Sequence, residues 1–550
     1  MPVLAFLFLL AARPDSARLV DRARNAQAAF ETTRLLLVRT GEAGGDRCDA
    51  RIGRFCYTYS GGGGDLPPEP ADIGKARAKL LAVLDSVARA VPGDAWVAGQ
   101  RVRYWLEAGH ADSAAAAARA CRAGAWWCAA LRGLAWHEAG KFGDAEGAFD
   151  DALDSMPADR RCRWTDLSSL LDNPLRGRYR RLTCDGRKDI NARVWWLARP
   201  LWSTPGNDRR TEHFARLTMA RLLEDSRWAL GDWGDDARGL IVRYGWPLAW
   251  EKDDCGGWCP PIPLGYLREP SFHFLPDARA FDAALPDKAD AGTDPPYAEE
   301  RYAPAYAARF EDLPPDFAAF LRGDSTLIIA AWDVSSDTAL QDTALVAALV
   351  LARDERSPEV VARRTRASGA GALVAEAPWP PSLASLELLA PDHRAAARIR
   401  ERLTPLVPAK GAVTLSGILL FDPTDSLPAD LPAALARLHA GGVPAGHRVG
   451  IYWEAYGLAS EEDVPTSVTV TSVRRGFLTR VAAAIGLARK SERIRLEWHE
   501  TARPPQGALE RAVVLDLAAL RPGHYRIEVA VSPPGRASVT SSRAVSVLAP

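Results

Sequence analysis

The sequence predicts a multidomain α + β protein, with an α-helical repeat region first, a mixed α/β module in the middle and β-sandwich domains at the C-terminal end. Two observations carry this prediction. Apolar residues recur at helical spacing over much of the first 230 residues, and after about residue 310 they form short alternating runs between turns. The 550 residues suffice for about three or four domains. We place the domains at 1–17, 18–160, 161–300, 301–408 and 409–550.

The charges on the chain balance, with 69 basic and 69 acidic residues. Proteins that bind nucleic acids usually show a basic excess or a basic stripe, and this sequence shows neither. We therefore expect no nucleic-acid partner.

The first 17 residues are typical of an export signal. The apolar run Pro2–Ala12 has the length of a signal-peptide core, and it is shorter than the ~20 residues that cross a bilayer. We expect a mature chain without a transmembrane span, located in the periplasm, on the cell surface or outside the cell. The alternative is an apolar first helix that stays in the mature protein.

The eight cysteines fall in close pairs, which is typical of local disulfides in an oxidising compartment. The simplest pairing is Cys48 with Cys56, Cys121 with Cys128, Cys162 with Cys184, and Cys255 with Cys259. Zinc binding or redox chemistry is the competing interpretation, and only the last pair has the short spacing that zinc sites prefer. We expect disulfides, no metal and no cofactor.

Two helices, Ala17–Val38 and Ile73–Val91, lead into a repeat. Residues 129–157 resemble the tetratricopeptide repeat, in which small residues let two antiparallel helices approach and aromatic residues fill the space to the next pair. The matching positions are Gly133, Trp136, Gly140, Phe142, Ala145, Phe149, Ala152 and Pro157. A degenerate copy precedes them, so residues 70–160 hold about two to three repeats. Such stacks usually present a surface to a peptide or protein, and the alternative is packing against a neighbouring domain only.

The segment Trp196–Gly245 carries a second set of motif residues. A Ser-Thr-Pro-Gly-Asn helix start is followed by Glu-His-Phe, a Trp-containing acidic stretch and Arg-Tyr-Gly. In this order they resemble the GWxTD domain family of bacterial exported proteins. The matching positions are Trp196, Asn207, Glu212, His213, Trp233, Asp236, Arg238, Gly239, Arg243, Tyr244 and Gly245. The resemblance implies export but no particular reaction, and Asp232 and Asp235 stand where the family has Gly and Thr.

Local patterns predict the elements of this segment. The start signals Thr204, Pro205 and Asn207 predict a helix over Asn207–Leu230. The apolar triplet Leu240–Val242 predicts a short buried strand after a turn. The run Trp250–Pro270 is rich in Gly, Pro and Trp and predicts an irregular loop.

The carboxylates of Asp232–Asp236 are the candidate hydrolytic site, since clustered acids can bind calcium or act as acid and base. The plainer interpretation, which we prefer, is a turn with Asp caps and an Asp236–Arg238 contact. His213 follows Glu212, but the His-Glu-x-x-His spacing of zinc hydrolases is missing, so we expect His213 to be structural. The sequence assigns no catalytic residue.

Apolar and polar residues alternate along short segments of the C-terminal half, which predicts β-strands. The predicted strands are Ser325–Asp333, Ala344–Ala352, Leu383–Leu389, Arg398–Arg400, Val413–Phe421, Arg448–Tyr456, Ser467–Val473, Arg493–His499, Ala512–Leu517, Tyr525–Val531 and Ala537–Val547. Leu520–Tyr525 looks like a tyrosine corner, which indicates an immunoglobulin-like sandwich. A similar corner without the Tyr at Leu389–His393 favours two tandem sandwiches over one. A helix at Phe477–Leu487 is predicted between strands.

These features favour a non-catalytic interaction or scaffold protein with a protein partner. A hydrolase at Asp232–Asp236 and a carbohydrate-binding module are the alternatives. Adjacent tryptophans, Trp126-Trp127 and Trp195-Trp196, are able to line a sugar-binding face, but such pairs more often fill interfaces inside a protein.

Overall fold

Helices fill the first half of the chain and strands fill the second, as the sequence predicts. The computed structural model describes residues 13–41, 50–52, 55–59, 68–227, 233–253, 262–267, 272–276, 278, 300–314, 316–341, 344–353, 358–404, 406, 411–473, 493–503 and 507–549. The chain forms two units. A helical unit comprises Met1–Pro286 with Asp290–Arg309, and a β unit comprises Phe310–Pro550 with Asp287–Ala289. None of the described helices is long and apolar enough to cross a membrane.

The described part of the helical unit contains eleven α-helices. They are α1 Arg13–Leu37, α2 Ala71–Ala90, α3 Ala95–Glu107, α4 Ala111–Arg119, α5 Ala125–Glu138, α6 Phe142–Ser155, α7 Ala158–Trp164, α8 Asn173–Tyr179, α9 Lys188–Ala198, α10 Asp208–Glu224 and α11 Asp235–Tyr244. The predicted helices Ala17–Val38 and Ile73–Val91 correspond to α1 and α2. Their apolar faces share a core with α3, which includes Phe30, Leu84 and Tyr104.

Two helix pairs, α3–α4 and α5–α6, have the same turn. In each turn a glycine with positive φ follows the first helix, Gly109 at 76° and Gly140 at 71°. The next amide donates to the carbonyl five residues back, at 3.0 Å in the first turn and 2.9 Å in the second. Within α5–α6 a Cβ added at Gly133 would lie 2.7 Å from the Phe149 ring, so glycine is required for this close approach. Ala145 and Ala152 are also buried there.

Two of the four predicted disulfides lie among the described residues. Cys121 pairs with Cys128 between α4 and α5, and Cys162 pairs with Cys184, with Cα–Cα distances of 5.6 and 5.7 Å. Cys48, Cys255 and Cys259 lie outside the described residues, as does the side chain of Cys56 in the strand Phe55–Tyr59.

Helix α11 corrects one prediction. Leu240–Val242 is not a strand, because these residues lie in the last turns of α11. Ala237, Leu240 and Ile241 are buried on one face at i, i+3 and i+4 spacing. Asp235 and Asp236 in the first turn and Arg243 in the last turn suit the helix dipole.

A small sheet completes the helical unit and corrects a second prediction. Its strands are β1 Thr40–Gly41, β2 Ala50–Ile52, β3 Phe55–Tyr59, β4 Ala249–Asp253 and β5 Ile262–Leu267, in the order β1-β4-β5-β3-β2. Two of them, β4 and β5, form an antiparallel pair that, apart from Ala249, lies inside Trp250–Pro270, which was predicted to be an irregular loop. Both strands pair with β1 or β3 from the beginning of the chain, and that long-range pairing leaves no local pattern.

The β unit contains four sheets in its described part. Its strands are β6 Arg309–Asp312, β7 Phe317–Arg322, β8 Ser325–Asp333, β9 Val346–Ala352, β10 Pro358–Arg364, β11 Ala370–Ala377, β12 Leu383–Ala390, β13 Ala395–Arg402, β14 Thr414–Leu415, β15 Leu419–Phe421, β16 Val443–Pro444, β17 Arg448–Tyr456, β18 Asp463–Ser472, β19 Arg493–Thr501, β20 Ala508–Asp516, β21 Gly523–Val531 and β22 Val539–Leu548. Each of the eleven predicted strands overlaps at least one of these elements, and the predicted strand Val413–Phe421 is two short strands, β14 and β15. A short helix, α12, spans Leu431–Leu435.

The four sheets form two cores. Sheets β10-β9-β12-β13-β6 and β11-β8-β7 share a core that includes Leu349 and Leu386. Sheets β14-β17-β15, with β20 beside β17, and β16-β22-β21-β18-β19 share a second core that includes Trp453 and Ile527. In the second core the Tyr525 hydroxyl donates to the Arg521 carbonyl at 2.9 Å, which is the bond that a tyrosine corner requires.

The predicted corner at Leu389–His393 is instead a hairpin turn. Strands β12 and β13 are antiparallel neighbours, with Ala390 opposite Ala395 across the turn. The chain therefore returns within one sheet and does not cross to another. The predicted helix Phe477–Leu487 lies outside the described residues.

The two halves of the β unit are joined by a third apolar cluster and by buried ion pairs. Phe320 packs with Phe421 and Tyr452 in that cluster. Arg322 binds both carboxylate oxygens of the fully buried Glu454, at 2.8 and 2.9 Å. Bidentate geometry of this kind fixes orientation as well as distance, so the halves are held in one arrangement.

Candidate functional site

Helix α10 is the central element of the helical unit, and most of its side chains are buried. Asn207 caps its first turn, because its side-chain oxygen accepts from the Arg210 amide at 3.0 Å. The Asn207 side chain also donates to the Trp195 carbonyl at 2.6 Å. This motif position therefore fixes both the start of α10 and its contact with α9.

Glu212 connects α10 to α5 through a buried network of ion pairs. Its carboxylate lies 2.7 Å from Nε2 of His137 on α5 and 2.5 Å from Nε of Arg216, one turn further along α10. The other ring nitrogen of His137 lies 2.9 Å from the Thr211 hydroxyl. Burial alone would raise the pKa of Glu212, but Arg216 and His137 lower it below its usual range. Glu212 is therefore an ionised structural partner.

Arg216 connects this network to the C-terminal end of α11 by hydrogen bonds. Its guanidinium donates to the carbonyls of Arg243 at 2.7 Å and Arg301 at 2.6 Å. The carbonyl of Arg243 belongs to the last turn of α11, where backbone acceptors lack helical partners. Gly245 ends the helix with φ of 90°, and a Cβ there would lie 3.5 Å from the guanidinium of Arg216.

A second buried group of charges lies around the start of α10. Arg209 pairs with Glu300, and Nδ1 of His273 lies 2.9 Å from the same carboxylate. Burial would raise the pKa of Glu300, but Arg209 and His273 lower it to about 2. Asp208 accepts from the hydroxyls of Tyr302 at 2.9 Å and Tyr306 at 3.1 Å.

Two groups beside α10 titrate abnormally because of burial. Burial raises the pKa of Asp208, against the effect of its two tyrosine partners. Burial of the His213 ring, with the nearby guanidiniums of Arg209 and Arg216, lowers the pKa of His213 to about 3. The ring lies 5.1 Å from that of Trp195. His213 is therefore neutral near pH 7, as expected of a structural histidine.

His137, Glu138 and Glu212 offer ligand atoms within 4.8 Å of one another, which is the spacing of a metal site. In this structure, however, the imidazole of His137 bonds directly to Glu212. The Glu212 carboxylate is also bound to the buried guanidinium of Arg216, whose positive charge opposes a divalent cation. The arrangement supports an internal ion network.

A cleft opens beside this network. Its volume is about 200 Å³, and it lies among α1, α2, α3, α10 and the segment Trp246–Leu248 that follows α11. Three arginines line its polar side, Arg34, Arg77 and Arg103. Its apolar side includes Leu106, Met219 and Leu223. The cleft thus combines guanidinium groups with aliphatic surface.

The arginines of the cleft are positioned by carboxylates on neighbouring helices. Arg103 donates to Glu31 of α1 at 2.9 Å and to Glu107 at 2.7 Å, and Arg34 pairs with the same Glu107. Burial would raise the pKa of Glu107, but Arg34 and Arg103 lower it to about 2. Arg77 pairs with Glu69, whose side chain is 42% exposed.

The remaining motif residues occupy ordinary structural positions. Trp196 stacks on Trp202 with ring centroids 4.6 Å apart, and Arg238 pairs with Glu224 at 3.5 Å. Trp233, Gly239 and Tyr244 are half-buried in or beside α11, as is Trp136 in α5, whereas Asp236 and Pro157 are exposed.

The acidic run offers no converging carboxylates in its described part. Asp235 and Asp236 are exposed in the first turn of α11, and Asp232 lies outside the described residues. Arg238 pairs with Glu224 instead, and the predicted Asp236–Arg238 contact is not among the ion pairs of the described residues.

The adjacent tryptophans fill interfaces inside the helical unit. Trp126 lies 5.5 Å from Trp127 and 5.7 Å from Trp164, and the guanidinium of Arg221 lies over both rings of the pair. Trp195 is buried against α10. These contacts agree with the packing interpretation of the Trp pairs.

Sequence reasoning did not single out Arg34, Arg77, Arg103 or Arg216. Each lies on a helix whose neighbours are also charged, so the pattern is that of a solvated face. One signal was available for Arg216, since it follows Glu212 by one helical turn. A comparison with protein-family models found no match, and a comparison with curated proteins found none.

Proposed function

We propose that this chain is a non-catalytic binding protein of the bacterial periplasm or cell surface that engages a protein partner. In this proposal the pairs α3–α4 and α5–α6 are tetratricopeptide-like repeats, α9–α11 belong to a GWxTD-like module, and the second β core is an immunoglobulin-like sandwich. The observation that carries it is the cleft, because it opens where the helix pairs meet the segment after α11. Grooves between helices are a common place for ligands.

Local geometry supports these assignments. The two helix pairs share one turn geometry, with glycine at the same position, as repeats of one supersecondary unit would. The bond from Tyr525 to Arg521 supports an immunoglobulin-like sandwich. The disulfides Cys121–Cys128 and Cys162–Cys184 support an oxidising compartment.

The pairing of the buried charges favours binding over hydrolysis. A general acid or base needs a free position next to the substrate, whereas Glu212 and Glu300 are each held by an arginine and a histidine. The candidate hydrolytic carboxylates Asp235 and Asp236 point into no shared pocket of the described chain, since both are exposed on α11.

The test is capture of partners in the organism that encodes the chain. Cells expressing the full-length tagged chain are treated with a thiol-blocking reagent and a cross-linker, and the tagged protein is purified from the envelope. We expect at least one protein to be recovered, to rebind the purified chain, and to be missing from a control with an unrelated exported protein carrying the same tag. Cys121, Cys128, Cys162 and Cys184 should be unblocked. Recovery of no specific partner would overturn the binding role, and blocked thiols would overturn the compartment.

A further inference from the structure

The cleft beside α10 is large enough for a ligand the size of one amino-acid residue. Its volume is about 200 Å³, and an apolar cavity of ~150 Å³ accepts benzene. Its walls come from distant parts of the helical unit, with Arg34 on α1, Arg77 on α2, Leu106 on α3 and Met219 on α10. The site is therefore a product of the tertiary fold.

Two arginines that line the cleft have unsatisfied hydrogen-bond donors. Arg34 and Arg77 are each only 6% exposed, yet the Nε atoms of both are buried without a hydrogen-bond partner. Among the hydrogen bonds of the described chain, Arg77 makes a single side-chain bond, to Glu69. A guanidinium has five N–H donors, so Arg77 is poorly satisfied for a buried cation.

The present partner of Arg77 is open to exchange by another anion. Glu69 lies just before α2, and its side chain is 42% exposed, whereas that of Arg77 is 7% exposed. The Glu69 carboxylate can turn into water only when another anion takes its place, because an unpaired buried guanidinium is costly. Arg34 and Arg103, in contrast, are held by the more deeply placed Glu107. An incoming carboxylate would therefore displace Glu69 from Arg77 while the other two arginines stay in position.

The cleft also has an apolar lining. Met219 and Leu223 from α10 contribute to it, as does the segment Trp246–Leu248, which we call the lip. Leu248 is 41% exposed, so part of this apolar lining is open to solvent. The acidic residues Glu107 and Glu138 also line the cleft, and they oppose a ligand with two or more negative charges.

We propose that this cleft binds a ligand with one carboxylate and an adjacent aliphatic or aromatic group, with the carboxylate on Arg77 and the apolar group against Met219, Leu223 and Leu248. The inference rests on the proposed binding role and gives it a ligand class. Two sources have this chemistry, a free monocarboxylic acid and the C-terminal residue of a polypeptide.

Calorimetric titration of the full chain tests the proposal with four probes. They are N-acetyl-leucine, its amide, the peptide Gly-Gly-Ser-Gly-Leu with a free C-terminus, and the same peptide amidated. We expect each acid to bind about ten to a hundred times more tightly than its amide, since a hydrogen bond to a charged group is lost in the amide. Tighter binding of the peptide than of the small acid would identify a polypeptide terminus as the source, and the reverse would identify a free acid.

Two variants and one control locate the site. Arg77→Gln should weaken binding of both acids at least tenfold and leave the amides unchanged. Leu248→Asp places a like charge at an exposed position of the lip, so it should weaken the acids without affecting folding. Arg89→Gln alters an exposed arginine on the same helix as Arg77 and should change nothing. Far-ultraviolet circular dichroism checks the fold of each variant.

The outcomes separate this inference from the proposed function. Equal affinities for acids and amides, or acid binding unaffected by Leu248→Asp, would overturn the cleft assignment. If an envelope partner is captured equally by the wild type and by Leu248→Asp, the binding role stands, that partner's C-terminus is excluded as the cleft's ligand, and the calorimetry alone decides the cleft assignment. If the acids bind as expected but no partner is captured, the cleft assignment stands with a free acid as its ligand, and the proposed role in binding a protein partner fails.

Discussion

Replacing Arg216 by Met should strongly destabilise the helical unit. The substitution keeps most of the aliphatic stem and removes the guanidinium that binds Glu212 at 2.5 Å and the carbonyls of Arg243 and Arg301 at 2.7 and 2.6 Å. Glu212 is 9% exposed, so its carboxylate would stay buried with His137 as its remaining partner. Breaking a buried ion pair by removing one member costs about 3–5 kcal/mol.

A double variant separates two costs, the loss of the Arg216–Glu212 ion pair and the burial of an unpaired Glu212 carboxylate. In Arg216→Met with Glu212→Leu the buried carboxylate is gone as well, and replacing both partners by apolar groups is far less costly than replacing one. The double variant should therefore be more stable than Arg216→Met alone. Residual destabilisation of about 1–3 kcal/mol is expected, because His137 loses its acceptor.

The exposed pair Arg163–Asp159 provides a matched control. It has the same arginine–carboxylate chemistry one helical turn apart, with side chains 66% and 69% exposed. Arg163→Met should leave the unfolding midpoint unchanged, since exposed pairs contribute little.

Urea unfolding followed by tryptophan fluorescence measures these effects. Of the 18 tryptophans, only Trp332, Trp379, Trp453 and Trp498 lie beyond residue 310, so the signal reports mainly on the helical unit. A change for Arg216→Met no larger than for Arg163→Met would refute the structural role of the network. A double variant less stable than the single variant would refute the argument from the orphaned charge.

Two further predictions concern single buried groups. The pKa of His213 is about 3 in the folded chain, against an ordinary value of 6.5, so the unfolded chain takes up a proton first and the free energy of unfolding falls as the pH drops below 6.5. His213→Gln should therefore remove up to ~1.4 kcal/mol per pH unit of this slope, measured by urea unfolding between pH 6.5 and 5. An unchanged slope would count against a neutral buried ring. Tyr525→Phe removes the hydroxyl that donates to the Arg521 carbonyl at 2.9 Å, and it should lower the free energy of unfolding of the β unit by about 1 kcal/mol. Calorimetry of thermal unfolding measures this change. An unchanged unfolding temperature would show that the bond contributes nothing.

The strands of the β unit could be predicted from two patterns. Burial alternates along β18 and β21, which overlap the predicted runs Ser467–Val473 and Tyr525–Val531. Strands β8 and β17 are almost continuously buried, and they coincide with the predicted runs Ser325–Asp333 and Arg448–Tyr456. Strands β10 and β11 were not predicted. The first begins with proline and has no buried position, and the second contains many small residues, so neither shows apolar alternation. Their pairing with β9 and β8 decides their conformation.

The error at α11 shows how short apolar runs mislead. Leu240–Val242 is compatible with a buried strand and with one side of a helix, since three residues cannot distinguish the two periods. The end signals do distinguish them. Asp235 and Asp236 precede the run, Arg243 follows it and Gly245 comes next, which is the order of charges and caps along a helix.

The candidate site was much less predictable than the elements that build it. The cap Asn207 was recognised because capping is local. The partner of Glu212, in contrast, is His137, 75 residues earlier in the chain. Nothing in the local sequence distinguishes a charged residue that meets such a partner from one that faces water. The cleft arginines are hidden for the same reason, because their burial arises only when α1, α2 and α10 pack.

The network and the cleft form one continuous structure along α10. Glu212, Arg216, Met219 and Leu223 follow one another at helical spacing on one side of that helix, and the first two belong to the network while the last two line the cleft. Arg216 holds the carbonyl of Arg243, and the lip begins three residues later at Trp246. Burying charged groups costs desolvation free energy that their ion pairs often only offset, so net stability alone does not explain why these charges are buried. One contact of the network fixes the end of α11, since Arg216 donates to the Arg243 carbonyl, and it thereby fixes the start of the segment that lines the cleft.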